Sequence, residues 1–119
     1  RGSWLAYDGE QTIYAHQSNY YNRATYEHYL FRYDIAGDTW YSAGLHGMPL
    51  YGLHGGSIRK KRSKDGSAAA WYGDGIYALK GGNSQQFWKY TVDGDSWTEL
   101  DTMPTYGSIC VRSSCMENA

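Results

Sequence analysis

Five of the eleven basic residues fall within six positions, in the run Arg59-Lys60-Lys61-Arg62-Ser63-Lys64. Cations at this density attract polyanions or an import receptor, and they also serve as a solvated crossing between elements. The flanking Gly55-Gly56 and Asp65-Gly66 favour the crossing, and lysines on a strand edge deter unwanted pairing. A second group is Asn19, Tyr20, Tyr21, Asn22, Arg23 and Tyr26. Rigid aromatics among adaptable polar groups suit a binding surface: flat rings lie against sugar faces or peptide while Asn and Arg bond to hydroxyls. The alternative is that Tyr20 and Tyr21 only cover a sheet edge. The candidate binding residues are therefore these six, with Arg59, Lys60, Lys61 and Arg62.

Other reactive side chains form no constellation. His16, His28, His46 and His54 lie in or beside the longest connections without HExxH or comparable ligand spacing, so no metal is expected. Asp8, Asp38, Asp74, Asp93 and Asp95 sit next to glycines, where a hairpin needs them. A requirement that recurs with each copy of a repeat is structural rather than catalytic. We therefore expect no catalytic residues, no cofactor and no enzyme. Cys110 and Cys115 enclose four residues, a spacing that permits a small disulfide loop or a link to another chain but is no CxxC pattern.

The elements that position these groups are written twice. Tyr33-Asp34-Ile35-Ala36-Gly37-Asp38-Thr39-Trp40 returns 57 positions later as Tyr90-Thr91-Val92-Asp93-Gly94-Asp95-Ser96-Trp97. Ile13-Tyr14-Ala15 answers to Ile76-Tyr77-Ala78, Gly2 to Gly9 answers to Gly66 to Gly73, and Met48-Pro49 answers to Met103-Pro104. Sustained helical periodicity is missing, whereas short Tyr-, Trp-, Ala- and Ile-rich runs are separated by turn residues, so the class is all-β. The strands of the second copy are expected at about 66–72, 75–81, 86–91 and 96–100. The first copy carries six extra residues between its second and third strands, expected as a loop over residues 16–28. A second long connection is expected from His46 to Asp65, on the same face as the first.

Ile76-Tyr77-Ala78-Leu79-Lys80-Gly81-Gly82, followed by Tyr90 and by Trp97 seven positions later, resembles the Kelch repeat. The resemblance covers residues 2–49 and 66–104. In the first copy His16-Gln17-Ser18 stands where the double glycine would be. The family's repeats are blades of a β-propeller, each a four-stranded antiparallel sheet. The resemblance thus implies two Kelch-like blades, over 1–50 and 51–105, with 106–119 as a tail or the start of a third. Some propellers of this kind are enzymes, such as copper-dependent sugar oxidases and sialic-acid mutarotases, but none of their special residues can be matched here.

The residues themselves fit that architecture. Gly66-Ser67-Ala68-Ala69-Ala70 is small enough for an innermost strand, while Tyr33, Trp40, Tyr90 and Trp97 are expected to pack as core between blades. Closed propellers use about four to eight blades, so two are incomplete as a single chain and need further blades from the same or another chain. We expect either an excerpt or a mature chain, which alone is not a stable monomer.

Composition bounds the rest. With 119 residues, 13 Tyr, 5 Trp and 15 Gly, the core must be built from amphipathic aromatics. A net charge of -1 argues against a general nucleic-acid binder. No apolar window reaches the length of a membrane helix, and nothing resembles a signal peptide. The expected function is a non-catalytic module that binds a protein or glycan through its long loops, with a self-assembling structural protein as the alternative. High Tyr, Trp and Gly with few cysteines leans towards an extracellular setting.

Overall fold

The computed structural model describes residues 2–41, 45–54 and 56–104, with the side chain of Asn19 excepted. Cys110, Cys115 and the expected tail lie outside these residues. The described chain is all-β with no helix, and no helix in it is long and apolar enough to cross a membrane. Ten strands form: β1 Trp4–Tyr7, β2 Thr12–Asn22, β3 Glu27–Asp34, β4 Thr39–Tyr41, β5 Tyr51–His54, β6 Ser57–Lys60, β7 Ala68–Tyr72, β8 Gly75–Leu79, β9 Phe87–Thr91 and β10 Ser96–Glu99. They make two four-stranded antiparallel sheets in sequential order, β1 to β4 and β7 to β10, with the hairpin β5–β6 between them in sequence.

Local chemistry sets the turns. The Asp8 carboxylate accepts the backbone N–H of Glu10 at 2.8 Å and of Thr12 at 3.1 Å, which closes the β1–β2 hairpin. Asp38 and Asp95 occupy equivalent left-handed positions at φ 51° and 50°, and their N–H groups bond to the carbonyls of Ile35 and Val92. Gly81 and Gly82 follow β8 at φ 72° and 62°. A Cβ on Gly81 would come within 2.4 Å of the Asp65 carbonyl oxygen, and one on Gly82 within 2.6 Å of that of Arg62. Both positions exclude a side chain, so the basic run can lie against the double glycine.

The registers pair Trp4 with His16, Tyr14 with Arg32 and His16 with Leu30, which places Trp4, Ala6, Tyr14, His16 and Leu30 on one face of the first sheet. In the second sheet Ala69, Trp71, Ile76, Ala78, Trp88, Tyr90 and Trp97 share a face. These two faces pack together as the core. Tyr14 stacks on Trp71 at 6.0 Å between centroids and tilts against Tyr90 at 6.2 Å, while Trp4 meets Trp97 edge-on at 6.4 Å. Aromatic pairs at these spacings contribute about 0.5–1.5 kcal/mol each beyond burial of area.

Three sequence expectations need correction. Residues 16–28 are not a loop: β2 runs to Asn22, with a register irregularity between Gln17 and Asn22, and the turn spans only 23–26. The six extra residues lengthen a ladder whose period of two is carried by polar inward residues, because His16 and Ser18 are buried beside Tyr14. The connection from His46 to Asp65 is not a plain solvated crossing, since it contains β5 and β6, and Arg59 and Lys60 are strand residues. Of the four aromatics expected in the core, Tyr90 is fully buried and Trp97 packs beside it, but Trp40 is 56% exposed and Tyr33 half-buried. Their face of the first sheet has no sheet packed against it among the described residues.

Candidate binding cleft

Two long connections expected to share one face meet in space. The Leu50 N–H bonds to the Tyr26 carbonyl at 2.9 Å, Glu27 bridges to Pro49, and the Lys61 N–H bonds to the Leu50 carbonyl at 3.0 Å. The segment that follows β4 and leads into β5, and the segment leaving β6, are thereby tied to the tip of the β2–β3 hairpin. Beneath it, buried side chains hold the crossing in place. His28 donates from Nδ1 to the Met48 carbonyl at 2.6 Å and accepts the Ser63 N–H on Nε2 at 2.8 Å, which assigns its tautomer. His16 accepts the Met48 N–H on Nε2 at 3.2 Å, and Lys80 donates from Nζ to the carbonyls of Pro49 and Leu50 at 2.6 and 2.9 Å.

Burial shapes the charge of these groups. It pushes His28 down to about 4, with Lys80 and Arg62 adding repulsion against the bond to Met48. It holds His16 well below the usual histidine value, helped by His28 and Lys80, and it lowers Lys80 to about 7. Both histidines are neutral near pH 7 and act as backbone partners, a role the sequence left unread because polar residues at alternate positions resemble a loop.

Above this layer a cleft of about 460 Å³ is lined by Tyr21, Lys60, Lys61, Arg62, Lys64 and Gly82. Four cations and one phenol ring face it, with no carboxylate among the described residues of the lining. Lys60 Nζ stands 5.8 Å from the centre of the Tyr21 ring, and the Arg23 guanidinium lies over the same ring at 5.4 Å. Tyr21 stacks on Tyr26 at 6.4 Å, and Tyr26 meets Tyr51 edge-on at 5.9 Å, so an aromatic row backs the cations. Desolvation, and then the charges of Lys61 and Arg59, hold nearby His54 below its ordinary value. The arrangement suits an anion carrying a flat apolar surface: ring face for sugar or peptide, ammonium and guanidinium groups for carboxylate or sulfate.

The sequence candidates divide accordingly. Tyr21, Lys60, Lys61 and Arg62 line the cleft, and Arg23 and Tyr26 flank it. Tyr20 precedes Tyr21 on β2, does not line the cleft and is 64% exposed. Arg59 is exposed on β6 outside the lining. Asn22 uses its side-chain oxygen to accept the Ala24 N–H at 2.8 Å, a turn role. Only the backbone of Asn19 is described, within β2. Lys64, Gly82 and Tyr51 were missed. Lys64 is readable from the basic run, but Gly82 and Tyr51 reach the site only through the fold.

A separate polar cluster joins the sheets. His46 bonds through Nδ1 to Glu27 at 2.9 Å and lies 3.7 Å from Asp95 through Nε2. Glu27 and then Asp95 raise its pKa. Trp97 donates its indole N–H to the His46 carbonyl at 2.7 Å, and Asp95 accepts the His46 N–H at 3.0 Å, so the cluster seals the sheet junction. No group of three or more His, Cys, Asp or Glu side chains arranged to hold a metal occurs among the described residues. Compared with known proteins, the chain matches no protein-family model and no curated protein sequence.

Proposed function

We propose that this chain is a non-catalytic binding module, two Kelch-like blades of a propeller that hold an acidic glycan or an acidic segment of a protein in the cleft between the β2–β3 hairpin and the basic run. The observation that carries this is the convergence of Lys60, Lys61, Arg62 and Lys64 with Tyr21 on one cleft, from segments about forty residues apart, with Lys60 beside the Tyr21 ring. Support for the blade reading is the succession of two four-stranded antiparallel meanders stacked face to face. Of the two ligand classes, the open cleft with a flat ring backing four cations favours an acidic glycan. Binding of a sulfated oligosaccharide, of the desulfated form of the same backbone and of a Glu-rich peptide, each followed by calorimetry, tests the reading. Saturable binding of the sulfated sugar, with the desulfated sugar silent, is expected. Equal affinity for both sugars would contradict a charge-based site, and preference for the peptide would move the ligand class to protein.

A further inference from the structure

The duplicated phrase builds the same device on both sheets, and among the described residues only one of the two is covered. Tyr90 and Trp97 sit 5.1 Å apart at 44°, and Tyr33 and Trp40 sit 4.9 Å apart at 46°. The phenol of Tyr90 donates to Asp95 at 2.5 Å, and that of Tyr33 to Asp38 at 2.6 Å. In the second sheet this device is closed over by the back of the first sheet and by the segment 45–49: Trp97 lies 5.9 Å from His16 and donates to the His46 carbonyl, while Asp95 accepts the His46 N–H. In the first sheet, Trp40 stands open, and Leu5 and Tyr7, on the same face at the opposite edge strand β1, are exposed as well.

The complementary half is present at the other end of the chain. Leu45-His46-Gly47-Met48-Pro49 is matched by Leu100-Asp101-Thr102-Met103-Pro104, which shares its Leu, Met and Pro. By register, Leu79 and Phe87 stand on the second sheet where His16 and Leu30 stand on the first, because Leu79 pairs with Ala68 and Phe87 as His16 pairs with Trp4 and Leu30. Leu79, Phe87, Leu100, Asp101 and Met103 line an apolar cleft of about 490 Å³. It is the counterpart of the place that Trp97 fills within the chain. Met48, the counterpart of Met103, is fully buried there.

The geometry points to a head-to-tail contact between copies of this chain, in which Trp40 of one copy seats in the cleft formed by Leu79, Phe87, Leu100, Asp101 and Met103 of the next. The Asp101 backbone carbonyl takes the Trp40 indole N–H, and the Asp101 N–H meets the Asp38 carboxylate, repeating the bonds made by His46. The contact joins different surfaces of the two copies, so it propagates into a closed ring or an open fibre. It involves none of the residues lining the cationic cleft and stands or falls independently of the ligand.

Sedimentation velocity of the whole chain up to about 0.1 mM, with Trp40→Ala and Met103→Glu variants, tests the contact. The wild-type chain is expected to associate as concentration rises. Because a central tryptophan is a typical hot spot, each variant alone is expected to associate about 30-fold or more weakly. Mixed together, the variants retain one intact half each and are expected to form a 1:1 complex that grows no further. A wild-type chain that stays monomeric, a Trp40→Ala chain that associates like wild type, or a mixture that remains monomeric while wild type associates would each overturn the proposal. Near-ultraviolet circular dichroism confirms that each variant is folded before mixing.

Discussion

Lys60 Nζ stands 5.8 Å from the centre of the Tyr21 ring, although 39 positions separate the two residues. The distance depends on two hairpins: β2–β3 carries Tyr21 outward, and β5–β6 returns Lys60 beside it through the pairing of Lys60 with Tyr51. Near a solvent-exposed ring such a contact is worth about 0.5–1 kcal/mol. Its larger consequence is to keep a cation beside a flat surface.

Tyr20 and Tyr21 separate binding from edge protection, because Tyr21 lines the cleft and Tyr20, its exposed neighbour on β2, does not. Replacing Tyr21 by Ala is expected to weaken binding of a sulfated oligosaccharide about tenfold, the scale of one lost aromatic contact. Tyr20→Ala is expected to leave the affinity within about twofold. Calorimetric titration of both variants checks this, and equal losses would detach the ring from the site.

The histidines are expected to titrate in opposite senses. His28 and His16 have folded values below the unfolded reference, so the unfolded chain binds more protons at intermediate pH. Their stabilising contribution is present above pH about 6.5 and is lost as pH falls towards 4, on the order of 3 kcal/mol for His28 alone. His46 has a raised value, so its contribution is present below the unfolded value and lost as pH rises through the folded one. Proton NMR of the imidazole C–H signals between pH 4 and 8 should show His46 titrating first on acidification, with His28 and His16 neutral at pH 5.

Much of this architecture was legible in the residues themselves. The Tyr33 to Trp40 phrase and its second copy give the hairpin turns, because an Asp at a left-handed position and a preceding Gly leave the chain few other conformations. The strands of the second copy lie inside the expected spans. Whether an aromatic would be covered was not legible: Trp40 and Trp97 occupy the same local structure, and only the order of the sheets decides that Trp97 is packed. The long β2 escaped notice because its inward residues are His16 and Ser18, whose burial depends on partners as remote as Met48. Lys80 escaped for a similar reason, since a buried lysine announces itself only through the carbonyls that receive it.

Lys80 offers a test of that buried layer. Burial lowers its folded value to about 7 from 10.5, so the wild-type chain gains stability as pH rises from 7 towards 10.5. Lys80→Met removes this dependence. Urea unfolding at pH 7 and pH 9.5 should therefore show the variant losing ground to the wild type at the higher pH, by a few kcal/mol at most. Parallel behaviour at the two pH values would place the ammonium in water rather than against Pro49 and Leu50.

The salt dependence of binding tests the cationic cleft most directly. For a sulfated oligosaccharide, the logarithm of affinity is expected to fall linearly with the logarithm of salt concentration, with a slope of roughly −3 for four neutralised contacts. In the Lys60→Ala, Lys61→Ala, Arg62→Ala triple variant, whose changes lie in exposed or half-exposed side chains, the slope is expected to shrink to about −1 with a matching loss of affinity. Affinity independent of salt, or a triple variant that binds with the wild-type slope, would contradict the assignment of the cleft as the binding site.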